Sequence, residues 1–300
     1  MDLAGVGMLK KYIFLLLTGL IFGSQFVLVK IAERAYTPLD IGFMRVLFGV
    51  VAILILIPIF GGKEEKLNVS WMMYLWIGLL EGALPCVLVP WGQLYVPTGI
   101  TGVIICTMPI FVMLFGPLLI KSERYSWLST LSILVSFIGV VVLINPFTGV
   151  DGLANDWGPA LLIVLASASW ALSLVFIKRC PSHAPFKLTR NILIAAVLEL
   201  FIVWLLFGHP TQFHITTIPL IAAFVLGFFA SGVVYIFYVL LIRSSGVNFA
   251  AFSNYLVPIV AGVIAIIWLH ERFDWMEVLG FMIIIVGLII QTFRDFQRKG

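Results

Sequence analysis

Apolar residues occupy this chain in long runs separated by short polar segments. Stretches such as "IFLLLTGLIFG" and "FMIIIVGLII" show no strict alternation of polar and apolar positions, which excludes the pattern of a transmembrane β-barrel. Runs of about 20 apolar residues cross roughly 30 Å of hydrocarbon as α-helices, because backbone groups there must be satisfied internally. The pattern predicts an all-α membrane protein with ten transmembrane helices, at about 10–31, 40–60, 71–95, 97–119, 126–145, 157–178, 187–207, 216–242, 247–269 and 274–293.

Composition supports the same class and leaves almost nothing for a soluble domain. The chain is 62% hydrophobic and 11% charged, whereas soluble domains have about 45 to 50% apolar and about 25% charged residues. The net charge of +4 does not require a nucleic-acid partner, since cations that flank membrane helices face anionic lipid. The partners expected are therefore membrane lipid and a small-molecule substrate.

The distribution of Lys and Arg predicts the orientation in the membrane. With the N-terminus inside, thirteen of the 18 cations lie in cytoplasmic segments, and only Lys30, Arg34 and Arg272 lie in the opposite connectors. The positive-inside rule then places both termini in the cytoplasm. The predicted location is the cytoplasmic (inner) membrane, as a multi-pass protein.

The two halves of the chain resemble each other. A shift of 148 residues superposes a Glu-Arg-aromatic-x-Trp motif, a glycine and a lysine, and it also aligns "FGSQFVLVK" with "WALSLVFIK". The matched pairs are Glu123/Glu271, Arg124/Arg272, Trp127/Trp275, Gly139/Gly287 and Lys30/Lys178. We divide the chain into two five-helix repeats, 1–146 and 147–300.

Because five is odd, the second repeat must enter the membrane from the opposite side. The expected architecture is thus two inverted repeats, related by a pseudo-twofold axis in the membrane plane. The Glu-Arg connectors would then face opposite compartments. Each has two interpretations: an ion pair of a gate, or a solvated turn that contributes little, which we favour.

The ordered set of motifs resembles EamA-type members of the drug/metabolite transporter superfamily. The resemblance rests on the repeat, on "ALPCVLVPWGQLYV", on the prolines of "CTMPIF" and "YLVPIV", and on the Glu-Arg connector. It implies alternating-access secondary transport of a small organic metabolite such as an amino acid, an amine or a similar amphipathic solute. It also implies export through a cavity formed mainly by helices one, three, four, six, eight and nine. Import and facilitative uniport of the same solutes are alternatives.

Glu81 is the main candidate for binding and coupling. It lies mid-membrane on the third helix, near Pro85 and Pro90, and prolines free backbone carbonyls that a cavity or a ligand can use. An intramembrane carboxylate costs about 2.5 to 3.5 kcal/mol and indicates function. We weigh substrate-amine binding or proton coupling against a structural hydrogen bond. Glu199, on the peripheral seventh helix, is interpreted as structural.

Polar and aromatic side chains on the cavity-forming helices are further candidates. Such groups either bind ligand or hydrogen-bond neighbouring helices, and a mostly apolar site with a few amides and hydroxyls suits an amphipathic solute. The additional predicted substrate-binding residues are Gln25, Phe26, Trp91, Trp170, Ser173, Tyr235, Tyr238, Asn254 and Tyr255. For Arg45 and Arg190, near the starts of helices two and seven, we favour snorkelling to headgroups over attraction of anions.

A membrane-embedded enzyme is the alternative from another class. It would require clustered ligands or a nucleophile with its base, and the sequence contains no HExxH, GxSxG, P-loop or GxGxxG motif. Cys86, Cys106 and Cys180 form no CxxC or His-Cys cluster, so neither a metal nor another cofactor is expected. Without a nucleotide-binding motif, proton coupling, exchange or facilitated diffusion remain as energy sources.

Overall fold

A computed structural model describes residues 8–60, 67–119, 127–144, 157–180, 184–208, 215–245, 253–272 and 274–297. All regular secondary structure in these ranges is helical, as the apolar runs predict. The helices are α1 (Met8–Ala32), α2 (Pro38–Phe60), α3 (Trp71–Gly78, Leu79–Ala83 and Leu84–Gln93), α4 (Thr98–Ile105 and Met108–Leu119), α5 (Trp127–Ile144), α6 (Gly158–Ile177), α7 (Pro185–Phe207), α8 (Thr217–Phe228, Phe229–Val233 and Val234–Ser245), α9 (Ser253–Leu269) and α10 (Trp275–Gln297).

Seven stretches of the described residues, in α1 to α4 and α6 to α8, are long and apolar enough to cross a membrane. Two shorter apolar helices, Leu256–Leu269 and Val278–Gly287, lie within α9 and α10. Outward faces carry large apolar side chains, such as Ile202 and Leu206, which are 58% and 70% exposed and suit a lipid environment. The all-helical class is confirmed, whereas ten membrane crossings stay a prediction.

Helix contacts follow the equivalence of the two repeats. Each helix of the first repeat corresponds to the helix five places later in the chain, so that α1 corresponds to α6 and α4 to α9. Corresponding pairs make the same contacts: α1 packs on α9 as α6 packs on α4, and α2 packs on α8 as α7 packs on α3. Likewise, α3 packs on α6 as α8 packs on α1. The pairs α2–α7, α4–α9 and α5–α10 join helices to their own counterparts. Most of the interior is therefore an interface between repeats.

Glycines allow several of these helices to approach closely. An added Cβ at Gly23 on α1 would lie 2.4 Å from Val260 Cβ on α9. One at Gly82 on α3 would lie 2.5 Å from Ala196 Cβ on α7. Both distances are too short for a real side chain, so each glycine is required by its neighbour. Small residues serve close helix contacts in membranes in this way.

Helices α3 and α8 each contain one π-helical turn, Leu79–Ala83 and Phe229–Val233. The turns lie 150 residues apart, close to the 148-residue repeat, so they occupy equivalent places in the two halves. Single π-turns within α-helices are rare and occur frequently at functional sites. Because a π-turn interrupts the regular hydrogen-bond ladder, it leaves polar groups available to neighbouring helices.

Pro85 extends this interruption in α3, since its nitrogen has no hydrogen to donate to the preceding turn. The carbonyl oxygens of Leu80 and Glu81, in that preceding turn, accept hydrogen bonds from α6. Ser169 Oγ donates to Leu80 O at 2.7 Å, and Trp170 Nε1 donates to Glu81 O at 2.8 Å. The carbonyls near the proline are thus used by side chains of the other repeat.

The contact between α8 and α2 provides a test of this packing. In Gly232→Ala the new methyl group would lie 2.3 Å from Ala52 Cβ, while the next atom, Gly49 O, is at 3.4 Å. Overpacking of this kind costs about 1 to 3 kcal/mol, so we expect a lower melting temperature in detergent. The control is Gly232→Ala combined with Ala52→Gly, which removes the overlapping atom. We expect the double variant to be more stable than Gly232→Ala alone; additive losses would contradict the steric explanation.

Candidate functional site

The carboxylate of Glu81 lies in the π-turn of α3, at the interface of the two repeats. Its oxygens accept hydrogen bonds from Ser173 Oγ on α6 and from Tyr235 OH on α8. Both donors belong to the second repeat. A carboxylate in the membrane interior needs such donors, because burial of a polar group without partners is costly. The predicted residues Glu81, Ser173 and Tyr235 are therefore brought together, with Trp170 bound to the Glu81 backbone.

Arg45 on α2 lies beside this group and is only 4% exposed. Its Nε donates to Ser231 Oγ at 3.1 Å, and one terminal nitrogen donates to Gln25 Oε1 at 2.6 Å. The guanidinium carbon lies 6.0 Å from the centroid of the Trp170 ring, and Trp170 in turn donates to Glu81 O. The favoured interpretation of Arg45 as a snorkelling residue is wrong, because the side chain is directed into the bundle.

We refer to Arg45, Gln25, Glu81, Trp170, Ser173, Ser231 and Tyr235 as the central cluster. Ser231 was not predicted, although the repeat contains a signal for it: Ser231 occupies in the α8 π-turn the place that Glu81 occupies in the α3 π-turn. Position along the chain indicated that Arg45 lies near a helix end. The sequence of α2 does not indicate which side of the helix faces inward, because apolar residues lie on all sides of it. The inward direction of the guanidinium could therefore not be predicted.

The other predicted binding residues differ in their positions. Tyr238 on α8 packs edge-to-face on Phe22 of α1 at 6.3 Å between ring centroids, next to the central cluster along α8. Phe26 is fully buried in an apolar core. Trp91 is 52% exposed and points out of the bundle. The side chains of Asn254 and Tyr255 lie outside the described residues, and their predicted roles stay predictions.

Two further charged residues of the membrane helices lie apart from these contacts. Glu199 on α7 is half-buried, and its Oε2 atom has no hydrogen-bond partner among the described residues. The guanidinium of Arg190 binds the side-chain oxygen of its neighbour Asn191 at 3.0 and 3.1 Å. The structure therefore gives neither residue a contact with the central cluster.

A second polar group lies at the end of the bundle where α1 and α3 finish and α4 begins. Lys30 Nζ donates to Gln93 O at 2.9 Å and pairs with Glu33 at 3.3 Å. Gln93 is fully buried and its Nε2 donates to Phe26 O at 2.5 Å. Gln93 Nε2 also lies 3.3 Å from Thr98 Oγ1. These bonds fasten α1 to the turn between α3 and α4.

Glu271, in the connector between α9 and α10, completes this group from the other repeat. Its two carboxylate oxygens accept from the backbone N–H groups of Thr98 and Gly99 at 2.8 and 2.9 Å. This is a cap on the N-terminus of α4, where unsatisfied N–H groups and the helix dipole favour an anion. The interpretation of this Glu as a solvated turn is therefore wrong for Glu271. Its counterpart Glu123 lies outside the described residues.

A cavity of about 400 Å³ opens at the same end of the bundle, lined by Lys30, Glu33, Arg34, Leu94, Leu269 and Glu271. It is separated from the central cluster by buried residues. Phe26, Val89 and Ile163 have no exposed surface, and each lies on its helix between the level of the cluster and this end. Gln93 follows Glu81 by twelve residues, which is about 18 Å along a helix. This buried layer therefore lies between the cavity and the cluster.

Comparison with known proteins places the chain in a family. The model of the EamA-like transporter family matches residues 9–145 and again residues 157–293, so the chain belongs to this family and is a membrane transporter. An "Uncharacterized transporter" of Clostridium kluyveri is 26% identical over 94% of this chain and 93% of its own length. The "Uncharacterized inner membrane transporter YedA" of Escherichia coli K12 is 26% identical over 92% of this chain and 89% of its own length.

A solved crystal structure supports the fold. It aligns with 98% of this chain and with all of its own chain at a TM-score of 0.64, with 12% identical residues. At this level of identity the likeness concerns the arrangement of helices alone. The resemblance derived from the sequence motifs is confirmed at the level of the family.

Glu33 makes the stability of this end of the bundle dependent on pH. Burial raises the pKa of Glu33 to about 7, and the neighbouring Lys30 lowers the pKa less than burial raises it. A carboxyl group with a raised native pKa stabilises the fold at low pH, and this contribution is lost as pH rises toward about 7. We expect the melting temperature of the wild type to fall between about pH 5 and about pH 7 more than that of Glu33→Gln. Parallel curves for the two proteins would contradict this.

Proposed function

We propose that this membrane transporter moves a small organic metabolite across the cytoplasmic membrane by alternating access. The observation that carries the proposal is the position of Glu81, whose carboxylate is held by hydroxyl groups of α6 and α8 in the other repeat. Transporters built from inverted repeats bind substrate and coupling ions near the bilayer midplane, at the interface of the repeats. The central cluster has this relation to the two halves.

Interruption of the helices supports the same assignment. The π-turns of α3 and α8 and the break at Cys106–Thr107 in α4 lie on helices expected to form the cavity. Non-helical backbone at membrane depth is tolerated where it is buried in protein or lines a cavity. The two π-turns carry Glu81 and Ser231 of the central cluster, as expected for a site that exchanges protein contacts for substrate contacts.

The contacts at the Glu271 end of the bundle support alternating access. At the end with Glu271, the cap on Thr98 and Gly99 and the buried layer around Phe26 close one route to the cluster. Opening this route requires α9 and α10 to separate from the start of α4, which moves one repeat relative to the other. Movement of one repeat against the other around a fixed site is the mechanism expected for inverted-repeat transporters.

The chemistry of the site suits a solute with both polar and apolar parts. Glu81 is a partner for a substrate amine or a carrier of the coupling proton, and the hydroxyls of Ser173 and Tyr235 accompany it in either role. The rings of Trp170, Phe22 and Tyr238 supply apolar surface. Amino acids, amines and similar amphipathic solutes are the substrates proposed, with export as the direction implied by the family resemblance and import or uniport as alternatives.

Transport by Glu81→Gln in liposomes tests the central assignment. The amide keeps the size of the side chain but cannot carry a negative charge or release a proton. Loss of a hydrogen-bonded charge costs about 1.5 to 3 kcal/mol, so we expect uptake or counterflow to fall about tenfold or more and its dependence on an imposed pH gradient to disappear.

Glu199→Gln is the matched control, since it removes the other mid-helix carboxylate of the described residues. It should retain both the rate and the pH dependence of the wild type. An unchanged rate and pH profile in Glu81→Gln would remove Glu81 from the mechanism. Amino acids, amines and nucleoside-like metabolites, tested with and without a pH gradient, are the solutes for the screen.

The inverted arrangement can be tested by labelling from each side of the membrane. Single cysteines introduced at 121–125 and at 271–274, in a background without Cys86, Cys106 and Cys180, should react from opposite faces. Impermeant thiol reagents added outside intact cells should label cysteines at 271–274. Single cysteines placed at either terminus should be protected from the same reagents. Labelling of both connectors from one face would overturn the inverted repeat and the alternating-access proposal with it.

A further inference from the structure

We infer that Arg45 recognises a carboxylate on the transported solute, and that the central cluster thereby selects solutes with an anionic group. This inference rests on the proposed function and specifies the substrate chemistry of the same site. It is carried by one atom: a terminal nitrogen of Arg45, NH1, is buried and has no hydrogen-bond partner among the described residues. The nitrogen belongs to a residue that is only 4% exposed.

A buried guanidinium with an unused donor is an energetically unfavourable arrangement. Arginine has five N–H donors and stays charged in proteins, and burial of a charge requires a counter-charge or full hydrogen bonding. The two recorded partners of Arg45, Ser231 and Gln25, are both neutral. Among the described residues Lys30 and Glu33 form an ion pair, whereas Arg45 and Glu81 do not. A substrate anion would supply the missing partner.

The surroundings hold the guanidinium in place for this role. Gly227 on α8 lies against the Arg45 backbone, since an added Cβ there would be 2.5 Å from Arg45 O. Ser231 and Gln25 then orient the guanidinium from α8 and α1. A guanidinium fixed by two neutral hydrogen bonds is preorganised, so little rotational entropy is lost when an anion binds.

The charges indicate a carboxylate rather than a phosphate. Arg45 and the Glu81 carboxylate share the cluster, related through Trp170, so the cluster has no surplus of positive charge with which to hold a dianion. A carboxylate is planar and singly charged, and it matches guanidinium geometry. A solute with a carboxylate toward Arg45 and an amine toward Glu81 would satisfy both groups without net charge in the site.

The experiment compares ligands that differ only in the anionic group. Purified wild-type protein in detergent is titrated with the common L-amino acids, each paired with its C-terminal amide, and binding is followed by thermal shift and calorimetry. A hydrogen-bonded charge contact corresponds to about a tenfold to hundredfold difference. We expect at least one amino acid to bind more tightly than its amide by about that factor.

Variants then assign the discrimination to Arg45. In Arg45→Gln the preference for acid over amide should disappear, and in Arg45→Lys it should be reduced but present, because the charge remains while the fork geometry is lost. Arg190→Gln is the matched control and should keep the full preference. The wild-type comparison remains decisive even if Arg45→Gln does not fold, because it needs no variant.

The outcomes separate this inference from the transport function. Equal binding of acids and amides, binding of amides or amines alone, absence of binding by every carboxylate tested, or an unchanged preference in Arg45→Gln would each overturn it. If amines or amides are transported in liposomes while acids are not, the proposed transport stands and the role of Arg45 fails. If no solute of either series is transported, and none of the amines and nucleoside-like metabolites of the wider screen either, the proposed function itself fails.

Discussion

The structure depends on one constraint of the membrane interior: every backbone polar group there needs a partner within the protein. Pro85 breaks the hydrogen-bond ladder of α3 by removing a donor, next to a π-turn that already interrupts it. Ser169 and Trp170 of α6 donate to the carbonyls of Leu80 and Glu81. Carbonyl groups freed in one repeat are thus hydrogen-bonded by side chains of the other. The same hydrogen bonds hold the Glu81 turn against the second repeat, so the packing of the repeats and the position of the candidate site are linked.

Charge burial extends this dependence from the backbone to the side chains. Arg45 on α2 and Glu81 on α3 both belong to the first repeat, and both form hydrogen bonds with the second. Arg45 donates to Ser231 on α8, and Glu81 accepts from residues of α6 and α8. Separation of the repeats would expose both charges to water or to a solute. Because burial of charge without partners is costly, the closed arrangement is stable only while the partner residues stay in place. A solute that replaces those partners would lower the cost of opening.

The two polar groups described above have different tasks. The group at the Glu271 end is held mainly by a helix cap and by bonds to backbone carbonyls, which fasten helix ends together. The central cluster is held mainly by bonds between side chains, with Trp170 bound to the Glu81 backbone. Bonds of the first kind suit a closure that forms and breaks as a unit, since they join one connector to one helix terminus. Bonds of the second kind suit recognition, because side-chain donors and acceptors can exchange a protein partner for a ligand.

Local pattern along the chain determined the all-helical class, the approximate helix positions, the repeat and the family, because hydrophobic runs and spacing are recorded residue by residue. It also singled out Glu81, Ser173, Trp170 and Tyr235, since polar and aromatic groups in apolar runs are few enough to notice. Only the tertiary structure decided which side of each helix faces inward. Arg45 turns into the bundle, Trp91 turns out of it, and Glu271 reaches across to the start of α4. These directions depend on the rotation of each helix against its neighbours, and packing sets that rotation where the helix is apolar on every side.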